Sequence, residues 1–260
     1  MNERPGGPAG QITNQNAGTK PALTKEDVEM MRTVVRGFLA AALATALASG
    51  VPAADASPTP AATAMLFDAK HLTTIPKGGE ALYRFERKVS DPKLLGEAFT
   101  DKISIGVLDE AADGTRTASV KVFTGDRARP EQQITGMTGN PLIVVFLDRS
   151  VHNIAMLAGG SRPFLKNKMK SQLGSNSKVT PVKITYGGKE VAGYRISFTP
   201  FVGDANALKM QGYDGSRFEI VVSEAVPGHF VETVGIFESP QPGSPRLEER
   251  TLLEGVGEIK

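Results

Sequence analysis

The sequence has no cysteine and no tryptophan, and it holds only three histidines among its 260 residues. Without cysteine the chain forms no disulfide, carries no thiol nucleophile and builds no thiolate zinc site or iron–sulfur cluster. The missing tryptophan weakens an interpretation as a base-stacking or carbohydrate-binding platform. The fold therefore has to rest on its hydrophobic core alone.

Charge of one sign is also lacking, because 30 lysines and arginines face 28 aspartates and glutamates, for a formal net charge of +2. A nucleic-acid-binding domain is strongly basic, so we expect no nucleic acid among the partners. The common signatures for binding phosphates and dinucleotides are absent, and so are those of serine hydrolases and zinc proteases. We therefore expect no cofactor and no metal site.

A secretion signal is the strongest pattern present, and it lies at residues 32–56 rather than at the start of the chain. A cationic lead precedes an uncharged apolar run at residues 38–48, and small residues ending in Ala56 follow. The run is too short for a membrane span, which needs about twenty residues. We predict a signal peptide at residues 30–56, cleavage after Ala56, and a periplasmic or secreted protein. Cleavage after Ala53 is the second choice.

The segments on either side of this signal lack a regular pattern. Residues 1–29 are polar and rich in glycine, proline and asparagine, so they are either a disordered extension or the product of a mis-annotated start. Residues 57–79 are rich in alanine, proline and threonine and are predicted to be a flexible arm. We expect residues 80–260 to form a single β-rich domain.

Most of this domain alternates between apolar and polar residues with a period of two, which is typical of half-buried antiparallel strands. The clearest pair is a hairpin that turns at Gly187-Gly188. Strands are predicted at residues 81–90, 99–108, 118–122, 182–186, 190–201, 217–223, 229–237 and 250–253.

Two helices interrupt the strands, near residues 141–158 and 163–173. Asn140-Pro141 is a strong start signal, since a capping side chain precedes a proline at the first helical position. The first helix is apolar on nearly all sides through Leu147, so other elements have to cover it. We predict an α+β fold, mainly β, in which an antiparallel sheet curves strongly, as a half-barrel, around the two helices.

The signal, the strand meander, the two helices and the returning hairpin together resemble the periplasmic lipoprotein-carrier half-barrels. The resemblance is one of architecture, over roughly residues 81–253, and it carries no shared motif or residue role. It implies a protein that holds acyl chains between sheet and helices. The chain is equally compatible with an uncharacterised family of exported proteins.

Candidate binding residues follow from this architecture and from the start of the second helix. Phe146 and Leu147 are predicted to lie near an apolar groove between helix and sheet. Ser161 and Arg162 follow two glycines at a helix start, an arrangement that favours an anion. Lys166 and Lys170 share one helix face and suggest contact with a membrane surface, although a solvated face is the simpler interpretation.

A catalytic alternative uses Asp148, His152 and Ser161. His152 lies one helical turn after Asp148, so a carboxylate-oriented imidazole near a serine describes a hydrolase. An ordinary pair on the helix surface explains the same spacing. The other two histidines, His71 and His229, are expected to face solvent.

Three functions follow from the sequence. The leading hypothesis is an exported, non-enzymatic protein that binds an apolar or lipid-like ligand or an envelope protein. The first alternative is the periplasmic hydrolase. The second is a structural or assembly protein of the cell envelope, whose sheet edge pairs with a partner.

Overall fold

The computed structural model describes residues 59–259. The predicted signal peptide, its cleavage site and residues 1–29 lie outside the described residues. Nine strands are described: β1 Gly79–Val89, β2 Phe99–Glu110, β3 Arg116–Val122, β4 Gln132–Met137, β5 Lys178–Tyr186, β6 Lys189–Phe198, β7 Arg217–Val222, β8 Phe230–Phe237 and β9 Leu247–Glu258.

Three α-helices accompany these strands in the described part of the chain: α1 Pro92–Leu95, α2 Leu142–Ala158 and α3 Arg162–Ser175. A short π-helical turn, Ala64–Asp68, precedes β1. Single 3-10 turns lie at His71–Thr74, Gly125–Arg127, Ala207–Lys209 and Tyr213–Gly215. Within residues 59–259, each helix is too short or too polar to cross a membrane.

The strands form one antiparallel sheet in the order β4-β3-β2-β1-β9-β8-β7-β6-β5. The last strand inserts beside the first, so β9 joins the four strands before the helices to the four that follow them. The two edges, β4 and β5, do not meet. The sheet is an open half-barrel, which confirms the predicted fold class.

Helix α2 lies in the concave face of this sheet. Every residue from Leu142 to Leu147 is buried, and the ring of Phe146 meets that of Phe218 on β7 at 6.3 Å between centroids. Further along the helix, Val151 and Ile154 are also buried. The all-round apolar start of the helix therefore predicted its coverage correctly, because an apolar helix is stable in water only when other elements surround it.

One strand escaped prediction, so four strands precede the helices rather than three. β4 has the sequence Gln-Gln-Ile-Thr-Gly-Met, in which only Ile134 and Met137 are buried. It pairs with β3 alone and its register shifts between Arg116 and Ala118. An edge strand of this kind lacks regular alternation, which is why the period-two pattern does not reveal it.

The segment at residues 59–78, called the N-terminal segment below, corrects a second prediction. It was expected to be part of a flexible arm, but Leu66, Leu72 and Ile75 are fully buried in the core. The Leu72 amide donates to the Thr138 carbonyl just before α2. The apolar residues of this segment are irregularly spaced, so no helix or strand pattern predicted that they would be buried. Tertiary contacts nevertheless hold them in the core.

A buried cluster of charges joins the middle of α2 to the sheet. Glu249 on β9 accepts hydrogen bonds from Arg87 on β1 and from Arg149 on α2, whose Nε lies 2.9 Å from Glu249 Oε2. Arg149 also stacks over Phe85, 4.6 Å from the ring centroid. Burial alone raises the pKa of Glu249, but the two arginines outweigh it and hold that pKa below its usual range.

We predict that Glu249→Gln destabilises the protein by about 3–5 kcal/mol, because two guanidinium groups lose the one carboxylate between them. Urea unfolding followed by circular dichroism measures this change. The neighbouring Glu248→Gln is the matched control, since its carboxylate pairs with Arg246 at the surface and should contribute less than about 1 kcal/mol. Equal losses in the two variants would contradict a structural role for the buried cluster.

Candidate functional site

An open cavity of about 520 Å³ lies between the N-terminal segment, the middle of β6 and the end of β7. Small-molecule sites typically occupy about 300–1,000 Å³, so this volume is suited to a ligand. The residues that line it come from the N-terminal segment, from β6, and from the end of β7 with the turn after it. They are Pro60, Ala64, Met65, Ala69, Ala192, Gly193, Tyr194, Val222, Ser223, Glu224, Ala225 and His229.

The cavity walls are mostly apolar, and four of the lining residues are alanines. Alanines contribute from both sides, and Gly193 contributes bare backbone. A Cβ at position 193 would lie 2.3 Å from the Ile184 side chain and 2.6 Å from the Val222 carbonyl oxygen. Glycine is therefore required there, because any side chain would displace β5 or β7.

Four of the residues that line this space have polar side chains: Tyr194, Ser223, Glu224 and His229. The Ser223 hydroxyl donates to the Ala192 carbonyl at 2.6 Å, so it is already engaged in joining β7 to β6. Glu224 is exposed, and His229 is half-buried. Burial lowers the pKa of His229, while the nearby Glu224 carboxylate acts in the opposite direction. The imidazole is thus mainly neutral at pH 7, with both donor and acceptor capacity.

The wall formed by the N-terminal segment is held in place through His71, which is fully buried. Its Nδ1 accepts the Asn140 backbone N–H at 3.1 Å, so its Nε2 carries the proton and donates to the Met65 carbonyl at 2.7 Å. The bond from Asn140 needs the unprotonated Nδ1 of the neutral ring. Burial lowers the pKa of His71 to about 4, although the bond to the Met65 carbonyl acts in the opposite direction. The prediction that His71 faces solvent is wrong.

Asn140 connects this histidine to the rest of the fold. Its side-chain oxygen accepts the Leu142 N–H at 2.9 Å and so caps α2, as the sequence predicted. Its side-chain nitrogen donates to the Tyr83 hydroxyl at 3.1 Å and to the Gly228 carbonyl at 2.9 Å. One buried amide thus holds a helix, a strand and a turn together.

Gly228 brings the cavity-lining turn into this network. Its amide donates to the Thr74 hydroxyl of the N-terminal segment at 2.8 Å. Its φ is +70°, and a Cβ would lie 2.7 Å from the Asn140 side-chain nitrogen, so glycine is required. The next residue, His229, places its ring edge-to-face with His71, at 5.0 Å between centroids. The network therefore lies directly behind the cavity wall.

The structure places the predicted groove residues in closely packed surroundings. Phe146 and Leu147 are both buried, and the void that Phe146 lines measures only about 10 Å³, less than a ligand needs. The larger cavity lies elsewhere, behind a segment that was expected to be mobile. A covered helix was correctly predicted, but the space beside Phe146 is filled by side chains.

The predicted anion-binding residues lie at the exposed start of α3. Ser161 and Arg162 are both exposed, and Arg162 donates to the Asp148 carboxylate at 3.0 Å. Further along α3, Lys166 is half-buried and Lys170 is exposed. The chain's own carboxylate therefore already neutralises the arginine that was expected to attract an anion.

The three residues of the hydrolase alternative occupy the same surface. His152 and Ser161 are exposed, and Asp148 is engaged by Arg162. Burial of part of its ring lowers the pKa of His152, and the charges of Arg162 and Arg149 lower it further. None of these three side chains lines the cavity of about 520 Å³.

Other site chemistry is limited in the described residues. No group of three or more histidine, aspartate or glutamate side chains in residues 59–259 is arranged to hold a metal ion. The residues that sequence analysis missed are His71 and Asn140 with its partners. The sequence pattern identified Asn140 as a helix cap. It gave no sign of the long-range partners Tyr83 and Gly228, which are 57 and 88 residues away in sequence.

We predict that the stability of the protein falls by about 3 kcal/mol between pH 6.5 and pH 4 through His71 alone. The unfolded chain takes up a proton near pH 6.5, whereas the folded chain does so only near pH 4. The unfolded state therefore binds more protons in this window, and stability is lost as pH falls. Urea unfolding at several pH values measures the slope.

His71→Gln removes the titrating group and should flatten the slope relative to the unsubstituted protein. His152→Gln, at an exposed position, serves as the control and should leave most of the slope in place. An unchanged slope in His71→Gln would show that the buried imidazole is not the titrating group.

No protein-family model matches the chain, and no curated protein does. Solved structures similar to it include the MucA/MucB complex of Pseudomonas aeruginosa, at 15% identity and a TM-score of 0.32, over 72% of this chain and 54% of that one. The Mycobacterium tuberculosis lipoprotein LppX has 12% identity and a TM-score of 0.26, and the match covers 69% of this chain and 89% of that one. A LolA superfamily protein from Nitrosomonas europaea has 9% identity and a TM-score of 0.21, and the match covers 77% of this chain and 94% of that one. The chain thus spans about half of the first of these chains. The resemblance is one of architecture, and it assigns no residue a role.

Proposed function

We propose that the protein binds an apolar, lipid-like ligand in the cavity between the N-terminal segment and strands β6 and β7. The observation that carries this proposal is an open cavity of about 520 Å³ that is lined mainly by alanine, methionine, valine and glycine. Each methylene group moved from water into such a space gains about 0.8 kcal/mol. A single acyl chain thus has enough apolar surface to bind there.

The polar groups at the cavity favour one kind of head group. Glu224 is an acceptor when ionised, and neutral His229 offers one donor and one acceptor. A hydroxyl or amide donor on the ligand suits both, whereas a phosphate or carboxylate would be repelled by Glu224. We infer that a neutral ligand, such as an acylglycerol, binds better than a fatty acid.

The two edge strands of the sheet are poorly suited to pairing with a strand of another protein, which favours ligand binding over the assembly alternative. β5 carries Pro181, and Lys178 and Lys183 are exposed beside it. Proline and lysine on an edge strand discourage pairing with another chain. The opposite edge, β4, is only six residues long.

Export is the second part of the proposal. The cationic lead, apolar run and small-residue site at residues 32–56 support it. An exported protein without cysteine needs no oxidation to fold, which suits a core held by apolar packing and by Glu249 and Asn140. The ligand would then be one that is present in the cell envelope.

We predict that Ala69→Trp weakens binding of a pyrene-labelled monoacylglycerol at least about tenfold, because the indole occupies cavity volume that the ligand needs. Pyrene fluorescence during titration of the purified protein measures the affinity. Ala192→Trp enters the same cavity from the opposite wall and should act likewise.

Ala112→Trp is the matched control, since Ala112 is exposed in the turn between β2 and β3, outside the cavity. It should bind the probe as the parent does. Melting curves verify that each variant is folded. Full binding by folded Ala69→Trp and Ala192→Trp would refute the cavity as the site, and a preference for the matching fatty acid would refute the proposed head group.

We predict that the exported protein begins at Ser57, because signal peptidases cleave after a small residue such as Ala56. N-terminal sequencing of protein from the envelope or medium tests this directly. Ala54→Leu together with Ala56→Leu should block processing. A purified chain that still retains residues 32–48 would contradict the export proposal.

A further inference from the structure

Two histidines lie on either side of the line where two walls of the cavity of about 520 Å³ meet. His71 belongs to the N-terminal segment and His229 to the turn after β7, with 5.0 Å between their ring centroids. A hydrogen bond joins the same two walls, from the Gly228 amide to the Thr74 hydroxyl at 2.8 Å. We call this pair of contacts the seam. A force that separates the two imidazole rings therefore separates the cavity walls.

Protonation of His71 breaks one of the bonds that hold the N-terminal segment. The Nδ1 atom accepts the Asn140 backbone N–H at 3.1 Å, and a protonated Nδ1 has no lone pair with which to accept it. The ring is also fully buried, so its charge would lack the solvation that water provides. A charged His71 is thus more stable when the segment has moved away from the core.

The turn on the other side of the seam responds to acid in the same direction. His229 has a φ of +60°, a strained conformation for a residue other than glycine, and the bond from Gly228 to the N-terminal segment lies directly before it. When both rings are protonated, two like charges face each other across about 5 Å and repel. Release of the N-terminal segment relieves this repulsion.

Other ionisable side chains near the two rings do not compensate these charges. They are Tyr83 on β1, Glu224 in the turn, and the exposed Asp68 and Lys70 of the N-terminal segment, which have opposite charges. Burial raises the pKa of Tyr83 well above its usual range, so its hydroxyl stays neutral. The Glu224 carboxylate raises the pKa of His229 and so favours protonation of that ring.

The rest of the fold keeps its contacts when His71 is charged. The three bonds of the Asn140 side chain involve no group that titrates between pH 8 and pH 5. The pKa of Glu249 lies below its usual range, so the buried charge cluster also persists at pH 5. The N-terminal segment contributes no strand to the nine-stranded sheet. It can therefore open while every strand stays paired, as a local unfolding event.

We propose that acid opens the seam, so that protonation of His71 and His229 releases the N-terminal segment and uncovers the cavity. Release of a bound ligand by this opening rests on the proposed function, whereas the opening itself does not. The structure thus contains a device by which a fall in pH empties the cavity without unfolding the half-barrel.

The size of the effect follows from the two protonation states of His71. Burial lowers the pKa of His71 to about 4 in the closed protein, and an exposed imidazole in the open one has its ordinary pKa of 6.5. The open form therefore binds more protons below about pH 6.5, and acid favours it. Through His71 alone, the equilibrium constant for opening should rise about 25-fold between pH 7.5 and pH 5.

Labelling of introduced cysteines measures this opening, since the chain has no cysteine of its own. Ala62→Cys places a thiol in the buried part of the N-terminal segment, and Ala118→Cys places one in the core on β3. The labelling rate with 4,4′-dithiodipyridine is divided, at each pH, by that of the exposed Ala112→Cys. We expect the normalised rate at Ala62→Cys to rise about 25-fold from pH 7.5 to pH 5, beginning near pH 6.5. The rate at Ala118→Cys should stay low.

Histidine variants assign the rise to the seam. In the Ala62→Cys protein, His71→Gln should remove most of the rise and His229→Gln should reduce it, and melting curves verify that each variant is folded. The onset of the rise tests the same point without either variant, because carboxylates titrate only below about pH 5. An onset below pH 5, an equal rise at Ala118→Cys, or a full rise in folded His71→Gln would overturn the proposal.

Dissociation of the pyrene-labelled monoacylglycerol tests the release of ligand. The dissociation rate should rise between pH 7.5 and pH 5 in the parent and stay nearly constant in folded His71→Gln. An unchanged rate in the parent would overturn release through the seam. If the probe binds at no pH while Ala62→Cys is labelled as expected, the proposed function is contradicted and the opening is not.

Discussion

The buried side chain of Asn140 is the contact on which the rest of this structure depends. Its oxygen caps α2, its nitrogen holds the Tyr83 hydroxyl and the Gly228 carbonyl, and its backbone amide donates to His71. A buried amide that makes all of these bonds offsets the cost of its own desolvation. Four parts of the chain, far apart in sequence, meet at one residue, so the position of each is fixed relative to the others.

The start and the middle of α2 are held by directional contacts, and these fix the helix in the half-barrel. Apolar packing along residues 142–147 supplies stability but little direction, since the contacts are non-directional. Asn140 at the start of the helix and Arg149 with Glu249 near its middle supply direction through hydrogen bonds and charge. A helix held only by packing could slide or rotate in the concave face, whereas these contacts leave it one position.

Sequence analysis found the features whose signal is local. The alternation in β1, β2 and β8 and the glycine turn before β6 predicted antiparallel strands, and Asn140-Pro141 marked the start of α2. The edge strand β4 and the buried His71 escaped prediction, because distant residues rather than near neighbours set their environment. The cavity escaped for the same reason, since one of its walls is a segment that carries no periodic pattern.

The polar contacts that hold the N-terminal segment in place lie behind the cavity wall, whereas the face of the wall that a ligand would touch is mostly apolar. His71, Thr74 and Asn140 use their polar atoms on one another, on Met65 and on Gly228, behind the wall. The face that the N-terminal segment turns toward the cavity is left with proline, alanine and methionine. His229 is the contact between the two layers, since its ring touches His71 and also lines the cavity. The alanine positions are therefore free to vary with the ligand, whereas Asn140 and Gly228 are constrained by the fold that places the wall.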